Sequence, residues 1–202
     1  MFDSVRGIYC ALRRPNIEDI ETIARWLDDP YLNSTVFDSS TYVNGAKEQA
    51  MAWLEQNATV YGAESLLGLV CSVKSGKPIG MVWFNNIDWK SRTADLRYLV
   101  GEEAYRTSVF GPEIALLSLQ MAFQVMNLHK IYGYVLSGNE DSIRLAEFGG
   151  IKEGVLKNYV PVGDGWNDYH LYAMFSDNFL DFLQKHKEGV LRRHFKKGIF
   201  QE

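Results

Sequence analysis

Arg106-Thr107-Ser108-Val109-Phe110-Gly111-Pro112-Glu113 is the stretch on which the reading of this chain turns. It stands between a strand-like apolar run, Asp95-Leu96-Arg97-Tyr98-Leu99-Val100, and a helix-like run from Ile114 to Met126. A strand, a short polar turn and a helix together offer bare backbone amides to an anion. The first helical N–H groups have no intrahelical partner, and the helix end carries partial positive charge. Pro112 suits a first helical position because its missing N–H would be unpaired there anyway. Gly111 lets the backbone approach a ligand closely. Arg106 can add charge-assisted hydrogen bonds to phosphate oxygens.

Working outward, the chain reads as alternating short strands and helices. Residues 6–14 predict a strand. Asn16 is placed to cap a helix from about Ile17 to Leu27, with Ile20, Ile23, Ala24 and Leu27 on one face, and Asp28-Asp29-Pro30 stops it. Residues 31–44 read as a loop and 45–57 as a second helix. Strands follow at 65–73, 78–85 and 93–100, the first two joined through Ser75-Gly76. A helix over 112–126 carries a broad apolar stripe. The remainder predicts a strand at 130–136, a short helix at 140–148 ending at Gly149-Gly150, and strands at 151–160 and 167–175. The fold class is α/β with a mixed, α+β-like sheet: antiparallel in front, with a parallel pair around the long helix.

Composition narrows the function. The formal net charge of −4 argues against a nucleic-acid face, which is usually basic. No apolar run reaches the length of a membrane span, and Met1 to Arg6 lacks a signal-peptide pattern, so no membrane partner and a cytoplasmic location are expected. Cys10 and Cys71 imply no disulfide framework, and no spaced Cys/His cluster points to a metal.

Several further runs, in order, resemble the GNAT superfamily of N-acetyltransferases. They are the Arg106 to Gly111 turn, then Asn127-Leu128-His129-Lys130-Ile131-Tyr132, then Asn139-Glu140-Asp141-Ser142-Ile143-Arg144-Leu145, and Gly149-Gly150-Ile151-Lys152-Glu153-Gly154. The opening also fits, with Leu12-Arg13, an acidic helix and Trp26-Leu27-Asp28-Asp29-Pro30. It is typical of the branch with ribosomal-protein N-terminal and small-molecule acetyltransferases. The resemblance spans about residues 8–175. It implies a GNAT fold, with two central strands, 95–100 and 130–136, splayed around a thioester. It implies acetyl-CoA as co-substrate, no metal, and a primary amine of a small molecule or a peptide N-terminus as acceptor. A homodimer is common among such relatives. The domain would cover 1–176, leaving 177–202 as a basic helical extension.

The resemblance places the 106–111 turn (Arg106, Thr107, Ser108, Val109, Phe110, Gly111) at the pyrophosphate. Backbone groups of Leu99 and Val100 would meet the pantetheine and the thioester oxygen. Asn139 and Ser142 match positions facing the pantetheine arm, although Asn139 also reads as a helix cap. Two departures stand out. Val109 occupies a glycine position, and a β-branched residue resists positive φ. Ala146 stands where many relatives carry a tyrosine acting as general acid. Tyr134 and Tyr132, on the adjacent strand, are alternatives. Asp95 at a strand start reads as a candidate base, with Asp88 and His170 as others. The acceptor wall is expected from the 28–44 loop, the 84–92 connection and the 157–170 hairpin, with Phe84, Trp89 and His170 as substrate-binding candidates. Two other functions remain open: a non-catalytic acyl-CoA-binding domain, and transfer of a longer acyl chain.

Overall fold

The structure is a computed structural model that describes residues 5–35, 45–56, 62–106, 109–162 and 165–186. The strands are β1 (Cys10–Arg13), β2 (Leu66–Ser72), β3 (Pro78–Asp88), β4 (Thr93–Val100), β5 (Lys130–Leu136), β6 (Ile151–Val162) and β7 (Gly165–Phe175). They form one sheet in the order β1-β2-β3-β4-β5-β7-β6. Every pairing is antiparallel except β4 with β5. The mixed α/β reading, with its parallel pair around the long helix, matches this sheet.

The helices are α1 (Ile20–Leu27), α2 (Pro30–Thr35), α3 (Ala46–Gln56), α4 (Phe110–Gln120), α5 (Glu140–Glu147) and α6 (Ser176–His186). Asn16 caps as expected, accepting from Glu18 N–H while Asp19 bonds back to the Asn16 N–H at 2.8 Å. A single 3-10 turn, Ile17–Asp19, precedes α1. Residues 31–35, read as the start of a loop over 31–44, form α2 together with Pro30. Pro30 opens it, and the Asp29 carboxylate accepts the N–H groups of Tyr31 and Leu32. The long helix is not uniform. From Met121 to Val125 it widens to a π turn, closed by Met126 N–H to Met121 C=O at 2.9 Å.

Strand alternation sorts the two faces of the sheet. Val82, Phe84, Ala94 and Ile131 pack with Ile114 and Leu117 of α4 and with Met121 of the π turn that follows it. Met81, Trp83 and Leu99 pack on the other face with Ile23, Leu27 and Ala50 of α1 and α3. A small third cluster joins Phe179 and Leu183 of α6 to Leu116 and Met174. The helix seen at 177 onward therefore docks onto the α4 face, and residues 187–202 lie outside the described residues.

The N-terminal strand is shorter than the predicted 6–14. The chain folds back on itself, with Leu12 N–H bonded to Val5 C=O and Gly7 N–H to Cys10 C=O. The turn is held by Glu113 of α4, whose buried carboxylate accepts the N–H groups of Ile8 at 2.7 Å, Tyr9 at 2.8 Å and Cys10 at 2.7 Å. At the far end of β4, Gly101 lies against the Trp26 indole, where any Cβ would collide with the ring. Trp26 also donates to Glu102 at 2.9 Å, fixing α1 against the turn that leads to α4.

Candidate active site

β4 and β5 pair for only three residues, Thr93 with Lys130, Ala94 with Ile131 and Asp95 with Tyr132. Beyond that point they diverge, because β4 continues beside β3 while β5 follows β7. The backbone edges past the split are therefore free of a ladder. A cavity of about 260 Å³ fills the opening. Its lining includes Leu96 and Tyr98 on the α4 face and Arg97, Tyr132, Tyr134 and Tyr169 on the opposite face, so it passes through the sheet. α4 contributes Pro112, Ala115 and Leu116, and α5 contributes Asn139, Ser142, Leu145 and Ala146.

The edge of β4 that faces the opening follows from geometry. Leu99 turns its carbonyl onto Gly80 of β3, and Gly101 N–H donates to Ile79 of β3. Successive residues point to opposite edges, so the backbones of Leu96, Tyr98 and Val100 face the gap. The Leu96 carbonyl lies there, 3.0 Å from where a Gly133 Cβ would stand. Leu99, expected to serve the ligand, is thus engaged with β3, and its neighbours Tyr98 and Val100 are the residues whose backbone groups face the gap. The alternation Leu96-Tyr98-Val100 was the available signal for this.

At the mouth, α4 begins with Val109 at φ −105° and ψ −34°, so the β-branched residue meets no positive-φ demand. No side chain caps this helix start among the described residues, and nothing lies within 4 Å of where a Gly111 Cβ would be. Phe110 and Gly111 carry the N–H groups of this first turn, since Pro112 stands third in the helix rather than first and has none. The Phe110 ring packs between Tyr9 and Tyr105, edge-on to the latter at 4.9 Å. Thr107 and Ser108 lie outside the described residues. Arg106 is placed differently from the expectation. Its guanidinium bonds the carbonyls of Val100 at 3.1 Å and Gly101 at 2.9 Å, pairs with Asp29 at 3.0 Å, and lies over the Tyr31 ring at 4.7 Å. It fastens the turn to the α1–α2 connection. Asn139 caps α5, accepting from Ser142 N–H at 3.1 Å, and both residues also line the cavity.

At the apex of the split, Asp95 is 2% exposed. Arg97 donates to one carboxylate oxygen at 3.3 Å, and the other, Oδ1, has no hydrogen-bond partner among the described residues. Burial raises the carboxyl above its usual range, with Arg97 opposing. Tyr132 and Tyr134 stand on the same face, their rings edge-to-face at 6.1 Å. Burial and then the Asp95 charge raise both hydroxyls. Asp95 does not itself line the cavity, whereas both tyrosines do. Burial pushes the Tyr98 hydroxyl up to about 12.

The three substrate-binding expectations fall elsewhere. Phe84 is fully buried in the α4-side core, because β3 is covered on both faces and its alternation gives no outward wall. Trp89 sits on the connection after β3, donating to the Ala63 carbonyl at 3.0 Å, and does not line the cavity. His170 pairs with Val135 and faces α5, on the opposite side of the sheet from Tyr134, with Lys152 Nζ 3.3 Å from its Nδ1. Asp88 accepts the Lys90 and Ser91 N–H groups of its own turn. Residues 36–44 and 163–164 of the expected acceptor wall lie outside the described residues.

Residues 10–152, more than half the chain, match the family described as the acetyltransferase (GNAT) domain. Among solved structures, the chain is similar to a spermidine N-acetyltransferase from Vibrio cholerae in complex with CoA and spermine. The TM-score is 0.75 at 18% identity over 85% of this chain and 98% of that one. It is also similar to an acetyltransferase (GNAT family) from Bacillus anthracis, with TM-score 0.69, 20% identity, and coverage of 86% of this chain and 98% of that one. At such identities the likeness shows the fold. No curated protein matches the chain in sequence.

Proposed function

This chain belongs to the GNAT acetyltransferase family, and from that premise we propose that it transfers an acyl group, acetyl in the simplest case, from acyl-CoA to a primary amine inside the β4/β5 gap. The observation that carries the proposal is the cavity that crosses the sheet where the two strands part. It gives a thioester and an amine access to one point from opposite faces.

The amides of Phe110 and Gly111 at the uncapped start of α4 suit the pyrophosphate, with Arg106 acting through the turn it fastens. The pantetheine arm would run between α4 and α5, past Asn139 and Ser142, along the free edge of β4. The N–H groups of Tyr98 and Val100 are the donors placed for the thioester oxygen as it gains negative charge. Held this way, the two reactants meet as if in a unimolecular step.

The amine arrives protonated and must lose a proton before attack. Asp95 supplies the base. Its unpartnered oxygen and raised pKa favour taking up a proton, and since no tyrosine hydroxyl bonds that oxygen among the described residues, a bridging water carries the proton from the amine to it. Tyr132 and Tyr134, with Tyr169, give a cationic amine an aromatic wall. Ala146 offers no proton to the departing sulfur, and a thiol with an ordinary pKa of about 8.5 leaves as thiolate without one.

The test is release of free CoA from acetyl-CoA across a panel of primary amines: amino sugars, polyamines, arylalkylamines and peptides. Amine-dependent release supports the reading. Acetyl-CoA binding without turnover on any amine would favour the non-catalytic alternative.

A further inference from the structure

Polar side chains line the cavity in two places: Asn139 and Ser142 at the start of α5, and Arg97 with Tyr132, Tyr134 and Tyr169 on the face of the sheet away from α4. On the α4 face it is lined by an apolar lobe of Leu116, Leu119, Ile131, Ala146, Met174 and Phe182, with no charged side chain among them. Tyr172 also lines the cavity, its hydroxyl turned to Glu147. The backbone there is satisfied, since Gly150 N–H donates to the Ala146 carbonyl at 2.8 Å. Water needs polar partners to be held in such a space, and these apolar side chains offer it none. An empty lobe also forfeits the dispersion contacts its walls would make.

The walls come from three separate helices. Ala146 is the small residue on α5. The turn after it passes close over Met174 and Phe182. A Cβ at Gly149 would stand 2.9 Å from Met174 Cε and 3.2 Å from Phe182 Cδ2. Phe182 is brought in by α6, which Phe179 and Leu183 anchor on Met174 and Leu116. The lobe is thus a built feature, bounded by fixed side chains, lying beside the apex where the thioester would sit.

We propose that this lobe holds the hydrocarbon tail of an acyl group longer than acetyl, so that the donor is a medium-chain acyl-CoA. The proposal rests on the acyl-transfer reading above. An unbranched saturated chain fits the lining because it brings no polar atom to a lobe that could not satisfy one. Each methylene moved from water into the lobe strengthens binding by about fourfold, the equivalent of ~0.8 kcal/mol.

The test is calorimetric titration of the full chain with free CoA, acetyl-, butyryl-, hexanoyl- and octanoyl-CoA, repeated with Ala146→Leu. The expected result is an affinity that climbs by about fourfold per methylene until the lobe is full. In Ala146→Leu the hexanoyl-to-acetyl ratio should collapse. A flat series in which free CoA and every acyl-CoA bind alike overturns the long-chain proposal and leaves the acyl-transfer reading standing. Failure of free CoA itself to bind the wild-type chain overturns both.

Discussion

Glu113, on the first turn of α4, accepts the backbone N–H of Cys10 at 2.7 Å, joining positions 103 residues apart in sequence. The same carboxylate takes the amides of Ile8 and Tyr9, so one buried acid closes the N-terminal turn onto the helix that opens the cavity. Replacing it by alanine would leave three amides without their acceptor. We expect Glu113→Ala to lower unfolding stability by about 3 kcal/mol, since hydrogen bonds to charged groups contribute ~1.5–3 kcal/mol each and water recovers part of the loss. The urea midpoint at unchanged slope reads this directly. A change below ~0.5 kcal/mol would show that the turn does not depend on Glu113.

Arg106 and Asp29 give a second prediction, one that separates two roles for the arginine. In this account Arg106 holds the turn through Val100, Gly101 and Asp29. Arg106→Ala should weaken CoA binding by about tenfold, or ~1.4 kcal/mol. Arg106→Lys should do nearly the same, because an ammonium cannot reproduce the planar fork. Asp29→Asn should also weaken binding, by less. If the arginine served only as a charge for phosphate, freeing it from Asp29 would tighten CoA binding, and calorimetry would show the opposite sign.

Asp95 carries a prediction about pH. Its carboxyl is raised by burial, so the native state holds the proton more tightly than the unfolded chain does. The sign of the linkage follows: its contribution to stability is most favourable at low pH. It is lost as pH rises from the ordinary carboxylate value through the raised native one. Asp95→Asn removes that penalty and should raise Tm at pH 7 relative to pH 4, while lowering kcat/KM by roughly 10²-fold or more as the base is lost. The wild-type kcat/KM should rise with pH through an acidic limb that the variant lacks. A variant that is fully active, with the limb retained, would remove Asp95 from the mechanism.

Local patterning was legible where one signal dominated. The apolar run Lys130–Leu136 became β5 at the predicted bounds, and Asn16 and Asn139 cap as their side chains suggest. The mixed sheet and its GNAT character were also readable, from partial motifs in order. What escaped depends on contacts distant in sequence. The Arg106–Asp29 pair spans 77 positions. Phe84 was misplaced because a strand buried on both faces shows a continuous apolar run rather than alternation. Leu99 was named although it faces away from the gap, because edge direction is fixed only by pairing with β3. The π turn at Met121–Val125 left no mark, since the apolar stripe runs through it unbroken.

The central claim is that CoA occupies the space between the parted strands. Calorimetric titration of CoA into the wild-type chain and into Ala115→Trp, which places a large ring at the α4 wall of the cavity, tests it most directly. The account predicts saturable one-to-one binding to the wild type and its loss in the variant, with Tm and circular dichroism of the variant showing an intact fold. Equal binding to both proteins, or none to the wild type at millimolar CoA, would contradict it.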